Sequence, residues 1–214
     1  HGTGSCGSGV DSGKFDWTSG KFPLMSEPED SYHGLRWAHD LGPLAPLAYI
    51  LRMRLIPLRN LGACISPDNA WIFLQGIETL HLRMQRHCEN AMKVADFLQQ
   101  QPSVEWVRYP GIETDKAHKN AQKYLKSGYG AMVVFGIKGG LDAGKQFIER
   151  LNLFSHLANV GDAKSLAIHP SSTTHSQLSD ADLETAGISP GLIRLAIGIE
   201  DVEDIIDDLK QAMA

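Results

Sequence analysis

One long helical tract in the middle of the chain constrains the fold more than any other feature. It begins at Ser66-Pro67-Asp68, where serine caps the first turn, proline takes the first helical position and aspartate adds favourable negative charge. Apolar residues recur at helical spacing as far as Leu98, with a break expected between Glu78 and Leu82. A helix of this length usually links two bodies, so we place a domain boundary near residue 80.

Strand-like and helix-like segments alternate after this tract. We predict strands at 104–107, 131–137, 154–160 and 192–197, helices at 117–125, 141–151 and 202–213, and a loop at 161–190. Upstream, residues 41–61 are predicted to be helical despite three prolines, with Gly62 as the stop. Strands interleaved with helices, without a repeat, indicate an α/β or α+β body.

Composition excludes several classes of protein. With 214 residues, 43% of them hydrophobic and 21% charged, the chain is typical of a soluble globular protein with a sizeable core. A net charge of −5 argues against a nucleic-acid partner, and no apolar run approaches the roughly 20 residues that span a bilayer. Three cysteines without C-x-x-C spacing predict neither disulfides nor a zinc site, and therefore a cytoplasmic location.

Several long strings, in order, carry a family resemblance. They are DSGKFDW (11–17), GACISPDNAWIFLQGIETLHLRMQRHCENA (62–91), VEWVRYPG (104–111), NVGDAKSLAIHPSSTTH (159–175) and SPGLIRLAIGIED (189–201). Together they resemble the C-terminal half of the O-acetylhomoserine sulfhydrylases, which belong to the transsulfuration (Cys/Met metabolism) family of pyridoxal 5′-phosphate (PLP) enzymes. The resemblance covers nearly the whole chain from Asp11 onward, and several ordered strings are stronger evidence than one short motif.

The resemblance implies a fold-type I PLP-dependent transferase. Residues 1–80 would be the end of the large PLP-binding domain, and residues 81–214 the complete small C-terminal α/β domain. In this family the Schiff-base lysine precedes a Gly-Gly-His-Gly-Thr string, so it would lie upstream of His1, and this chain would hold no catalytic or cofactor-binding residue. Residues 4–9 are rich in glycine and serine where the family has an apolar strand. A glycine-rich segment makes a poor central strand, so this part of the chain departs from the family pattern.

The implied reaction is a γ-replacement that converts O-acetylhomoserine and sulfide, or a thiol, into homocysteine, or its thioether, and acetate. Two alternatives stay open: a carbon–sulfur lyase of the cystathionine or methionine γ-lyase type, and a catalytically inactive fragment that needs a partner chain. The missing N-terminal half would belong to the same or a separate chain, and the resemblance implies a homotetramer.

Arg194 is the first candidate for the site. It lies in a predicted strand on the face opposite Ile193 and Leu195, where a charge is costly unless it is paired. The residues alone leave a structural ion pair as open as a ligand site, although the guanidinium fork suits an amino-acid carboxylate. The resemblance implies that Arg194 anchors the substrate's α-carboxylate.

Ser165 is the second candidate. A serine in a loop is ordinarily a turn former, whereas the resemblance implies that Ser165 helps Arg194 orient the substrate. Its neighbour Lys164 is expected to be a surface lysine rather than a replacement Schiff-base lysine.

The remaining polar clusters have plainer interpretations. His169 and His175 do not have metal-ligand spacing and are expected to cap a loop. Interface or core positions are expected for three residues of the long helix, His81, His87 and Cys88. The acidic run from Glu200 to Asp208 is predicted to be a solvated helix start.

Overall fold

The structure is a computed structural model that describes residues 7–214. Expectations for the chain start, for Cys6 and for the first part of the 4–9 segment lie outside the described residues. The chain divides into two compact units between Phe73 and Leu74. The domain limits 1–80 and 81–214 concern a complete protein and stay a prediction.

The first unit is built from short helices. They are α1 (Pro23–Ser26), 3-10 turns at Asp30–Tyr32 and Gly42–Leu47, α2 (Ala48–Met53), a π turn at Arg54–Leu58 and α3 (Arg59–Leu61). The helical prediction for 41–61 is confirmed, and its prolines lie in the 3-10 and π turns, outside regular α-helix. Gly62 ends the run at φ +64°, a left-handed conformation that favours glycine. The small core of this unit centres on Trp37, which is fully buried.

The long helical tract is two helices, α4 (Pro67–Glu78) and α5 (Leu80–Gln99). Ser66 Oγ accepts a hydrogen bond from the Asn69 amide at 3.2 Å, as the predicted cap requires. Thr79 interrupts the tract with a non-helical backbone, so the break expected between Glu78 and Leu82 is confirmed.

A mixed five-stranded sheet forms the centre of the second unit. Its elements after α5 are β1 (Val104–Arg108), α6 (His118–Tyr124), β2 (Met132–Ile137), α7 (Gly140–Arg150), β3 (Ser155–His156), β4 (Leu166–Ile168), α8 (Asp180–Thr185), β5 (Leu192–Ala196) and α9 (Val202–Met213). The strand order is β1-β2-β5-β4-β3, antiparallel except for the parallel β3–β4 pair. The predicted α/β class is confirmed, with β5 in the middle of the sheet.

The two faces of the sheet differ. Val133 and Phe135 of β2, with Ile193 and Leu195 of β5, are fully buried in the same core as residues of α5, α7 and α9. The alternate residues of both strands, Arg194 among them, are only partly buried or small. The apolar positions of period two therefore decide which face carries the charged residue.

Two predictions between residues 154 and 190 are wrong. The strand predicted at 154–160 is only Ser155–His156, because Leu157 and Val160 are exposed and have no apolar layer to cover them. The predicted loop at 161–190 contains β4, a 3-10 turn at Pro170–Ser172 and α8. A strand of three residues is too short to show a period, so only its pairing with β3 and β5 identifies it.

The acidic start of α9 is not uniformly solvated, which corrects another expectation. Asp201 caps the helix by accepting from the Glu203 amide at 2.9 Å. Asp208, however, is buried, and its carboxylate accepts hydrogen bonds from the backbone of 152–154 at 2.9 to 3.3 Å. Three amides that have no partner within regular structure are thereby satisfied.

We expect Asp208→Ala to lower the free energy of unfolding by about 2 to 3 kcal/mol, because it leaves three backbone amides, that of buried Phe154 among them, without their acceptor. Urea unfolding followed by circular dichroism measures the loss. Its matched control is Asp207→Ala, an exposed neighbour on the same helix, which should change stability by less than about 0.5 kcal/mol. Equal effects of the two variants would contradict the assigned role of Asp208.

Candidate functional site

Arg194 lies at the centre of the site, in the middle of β5. Its neighbours across the sheet are Val134 of β2 and Ile168 of β4, so the arginine stem lies beside apolar side chains. The side chain is half-buried, while Ile193 and Leu195 on either side point into the helix-covered core. Its predicted orientation is confirmed.

The guanidinium has a neutral partner. Arg194 Nη2 donates to the backbone carbonyl of Asn159 at 3.1 Å. Within residues 7–214, no carboxylate lies within ion-pair distance of Arg194. The structural ion pair left open by the sequence is therefore not formed among the described residues, and the cation retains donors for an anionic ligand.

Ser165 lies at the end of the same loop that begins at Asn159. The residue is fully buried, and its hydroxyl donates to Glu200 Oε2 at 3.0 Å while accepting from the Gly198 amide at 2.9 Å. The Ser165 amide donates to Glu200 Oε1 at 2.6 Å. These bonds occupy the hydroxyl, and no hydrogen bond joins Ser165 to Arg194. The two predicted site residues are connected through the loop 159–165 rather than by direct contact.

Helix α5 holds the segment after β5 from the other side. His87 Nδ1 lies 2.6 Å from the Ile197 carbonyl, which can only accept, so this nitrogen donates. Asn90 Nδ2 donates to the carbonyls of Gly198 and Glu200 at 3.1 and 2.9 Å. His87 is buried, as the core prediction required; His81 is exposed and Cys88 is half-buried.

His169 follows β4 and is also buried. Its Nε2 donates to the Pro190 carbonyl at 2.7 Å, and its Nδ1 faces the Ser172 hydroxyl at 2.8 Å. A methyl group at Gly144 of α7 would overlap the imidazole, so a glycine in mid-helix gives the ring its space. His169 therefore ties the 170–172 turn to the loop before β5. The His175 imidazole accepts from or donates to only its neighbour Thr174 among the described residues, while the His175 amide donates to the Pro170 carbonyl at 2.9 Å.

The described residues do not fit a covalent anchor for PLP. A lysine that bonds covalently to a carbonyl needs a desolvated or charged setting that lowers its pKa. Every lysine from Lys14 to Lys210 is exposed, Lys164 included. The covalent chemistry of PLP therefore cannot be assigned to any lysine of the described residues.

No helix among residues 7–214 is long and apolar enough to cross a membrane. No cluster of histidine, cysteine and acidic side chains suited to a metal ion occurs in the same part of the chain.

Comparisons with known proteins agree with this architecture. The sequence profile described as Cys/Met metabolism PLP-dependent enzyme matches residues 24–214. The O-acetyl-L-homoserine sulfhydrylase of Leptospira meyeri is 52% identical over 219 residues, which cover 100% of this chain and 50% of that protein. The homocysteine synthase of Schizosaccharomyces pombe is 48% identical, and the match covers 100% of this chain and 49% of that protein.

A solved structure gives the same result. A Campylobacter jejuni protein assigned as an O-acetylhomoserine (thiol)-lyase, which contains a pyridoxyl-lysine phosphate, matches with a TM-score of 0.77 and 42% identity. The match covers 89% of this chain and 44% of that protein. The chain belongs to the Cys/Met metabolism family of PLP-dependent enzymes, and it spans about half the length of the curated relatives it matches.

Sequence reasoning missed the polar groups that support the site. Glu200 was assigned to a solvated helix start, and Asn159 was not singled out. The sequence contained one sign that polar groups are buried near this site. His87 and Asn90 lie three residues apart on the helix that also carries Ala91, Val94 and Leu98 in the core. Polar residues beside an apolar stripe indicate buried partners.

Burial lowers the pKa of His169 below its ordinary value. The unfolded chain therefore binds a proton at His169 more readily than the folded chain does. The stability contributed by neutral His169 is full above about pH 6.5 and is lost as pH falls. We expect the free energy of unfolding of the wild type to fall more steeply from about pH 7 to 5 than that of His169→Gln. Urea titrations at each pH, with the exposed-site variant His81→Gln as control, measure this difference; parallel curves for all three proteins would refute it.

Proposed function

We propose that the complete protein of which this chain is a part is a homocysteine-forming transferase. It would convert O-acetylhomoserine and sulfide, or a small thiol, into homocysteine, or its thioether, and acetate. The carbon–oxygen bond at the γ carbon breaks and a carbon–sulfur bond forms, so atoms balance without an oxidant or reductant. The chemistry at this carbon depends on PLP and on groups outside this chain.

The observation that carries the proposal is the half-buried guanidinium of Arg194, for which the described residues provide no carboxylate partner. A guanidinium in a partly desolvated setting favours an anion that accepts two parallel hydrogen bonds. The α-carboxylate of an amino acid is such an anion. Similarity to proteins named for O-acetylhomoserine then supports the choice of amino acid.

Ser165 has a supporting part in this proposal. Its buried hydroxyl fixes the end of the loop that supplies the carbonyl partner of Arg194. Arg194 binds the carboxylate, and Ser165 helps to hold the loop that orients the arginine. We further propose that the chain works with an N-terminal half, on the same or a separate chain, in a cytoplasmic homotetramer.

A carbon–sulfur lyase is the competing activity, since the Arg194 site would bind any α-amino acid. The two activities differ in products: the transferase needs sulfide and O-acetylhomoserine, whereas a lyase releases a keto acid and ammonia from cystathionine or methionine alone. Assays of the complete protein with each substrate separate them.

We expect Arg194→Ala to lower kcat/KM for O-acetylhomoserine by about 100- to 1000-fold in the complete protein. The loss corresponds to removal of charge-assisted bonds worth about 3 to 4 kcal/mol. Arg194→Lys keeps the charge but loses the fork, so it should recover only part of the activity. Steady-state rates of homocysteine formation measure all three proteins.

The control for Arg194 is Arg150→Ala, which removes an exposed arginine at the end of α7. It should change kcat/KM by less than about twofold, in keeping with a surface substitution. Full activity of Arg194→Ala would refute the proposed anchor, whichever substrate the enzyme prefers.

The exposure of every lysine gives a separate expectation for the chain on its own. Incubation of the 214-residue polypeptide with PLP, followed by borohydride reduction and peptide mass spectrometry, should show no site-specific pyridoxyl-lysine. The complete protein, treated identically, should carry one. Stoichiometric modification of a single lysine in the isolated chain would contradict this expectation.

A further inference from the structure

Glu200 lies just after β5, and its carboxylate points back to the loop that precedes β4. Oε1 accepts from the Ser165 amide at 2.6 Å, and Oε2 accepts from the Ser165 hydroxyl at 3.0 Å. Both oxygens are thus committed to one residue. An ionised acceptor strengthens both bonds relative to a neutral one.

The hydroxyl of Ser165 also forms a hydrogen bond with the segment after β5. It accepts from the Gly198 amide at 2.9 Å, and the Ile199 amide donates to the Ala163 carbonyl at 2.9 Å. Residues 163–165 and 198–200 are therefore joined by bonds in both directions. We call the set of Ser165, Gly198 and Glu200 the carboxylate clamp.

The carboxylate clamp requires glycine at position 198. A Cβ at this position would overlap the Glu200 carboxylate, the Ser165 amide nitrogen and the Ala163 carbonyl oxygen. Since the overlap includes backbone atoms, the neighbours cannot yield by rotating a flexible side chain. The close approach of the two segments depends on a residue without a side chain.

Residues 197–200, which include Gly198 and Glu200 of the clamp, are also hydrogen-bonded to α5. Carbonyls of Ile197, Gly198 and Glu200 accept from His87 and Asn90 of α5. These three carbonyls are bound to α5, and the amides of Gly198 and Ile199 are bound to Ser165 and Ala163, so the segment is fixed against the core. The clamp can therefore position whatever the loop 159–165 carries.

That loop carries the carbonyl group that orients the arginine. Its first residue, Asn159, accepts from Arg194 Nη2, and its last, Ser165, is gripped by Glu200. The loop is anchored at both ends, with the clamp as the polar anchor at the far end. The Ser155 amide also donates to the Ser165 carbonyl, at 3.0 Å. Loss of the Glu200 contacts would therefore loosen this end of the loop and let the Asn159 carbonyl, and with it the guanidinium, take other orientations.

We propose that Glu200 is a positioning residue for amino-acid substrates: its carboxylate fixes the loop 159–165 so that Arg194 is held ready for the substrate α-carboxylate. This inference rests on the proposed function and deepens it. Glu200 does not touch the substrate itself, so it acts on binding rather than on the bond-breaking step.

The experiment is steady-state kinetics of the complete, PLP-loaded protein at saturating sulfide. Glu200→Ala should raise KM for O-acetylhomoserine about tenfold while kcat changes by less than about threefold. Glu200→Gln should recover most of the loss, since its amide oxygen can accept from the Ser165 amide and its NH2 can donate to the Ser165 hydroxyl. Glu203→Ala, on the exposed side of the next turn, is the matched control and should leave both constants unchanged.

An unchanged KM in Glu200→Ala, or a loss confined to kcat, would overturn the proposal. If Glu200→Ala does not fold, Glu200→Asp shortens the side chain by one methylene and should raise KM in the same direction. An Asp variant with wild-type KM would then overturn the proposal as well.

Amide hydrogen exchange tests the carboxylate clamp independently of the enzyme's activity. In substrate-free protein, Glu200→Ala should speed exchange at Ser165 and Gly198 by about tenfold or more, while the core amides of α9 stay protected. If the wild type does not turn over O-acetylhomoserine, the proposed function fails, yet this measurement still decides whether the clamp holds the loop. Unchanged exchange at Ser165 and Gly198 would refute the clamp, whatever the enzyme's substrate.

Discussion

The polar contacts beside β5 are organised around one cation, the guanidinium of Arg194 in the central strand of the sheet. Ile193 and Leu195 are fully buried against helices, so the pleat of β5 sends the side chain of Arg194 to the opposite face. A half-buried guanidinium there loses hydration and needs anionic or dipolar partners. The described residues supply one backbone carbonyl, that of Asn159, which leaves the other donors available.

Two carboxylates, Glu200 after β5 and Asp208 on the helix-covered side of the sheet, fix turns without neutralising the charge of Arg194. Glu200 has both oxygens engaged by Ser165, and Asp208 has both engaged by backbone amides of 152–154. Each acidic group is therefore used to fix a turn, and neither is paired with Arg194. Arg194 therefore has no carboxylate partner among the described residues, and we propose that it keeps its charge for an amino-acid carboxylate.

Much of the fold was predictable because strong local signals agree with tertiary packing. The Ser66 cap, the break at Thr79, the stop at Gly62 and the closing helix 202–213 all follow from local chemistry. The buried neighbours of Arg194 followed from period two. Element boundaries failed where tertiary pairing alone decides, as in β4, whose three residues owe their strand conformation to β5.

The site was only partly predictable for a related reason. Arg194 stands out as a charge within an apolar strand, and the resemblance pointed to Ser165. The roles of Glu200 and Asn159 depend on contacts between residues 35 positions apart, which no local pattern encodes. Composition placed Glu200 in an acidic, helix-starting run, which is correct for Asp201 and Glu203 but not for Glu200 or Asp208, whose carboxylates bind other parts of the chain.

A crystal structure of the complete protein with an O-acetylhomoserine analogue bound would show whether Arg194 binds the substrate α-carboxylate. We expect the Arg194 guanidinium to donate two hydrogen bonds of about 2.7 to 2.9 Å to the ligand's α-carboxylate. Asn159 and Ser165 should keep the positions they have here. A carboxylate bound elsewhere, with Arg194 contacting only the backbone of Asn159, would contradict this expectation.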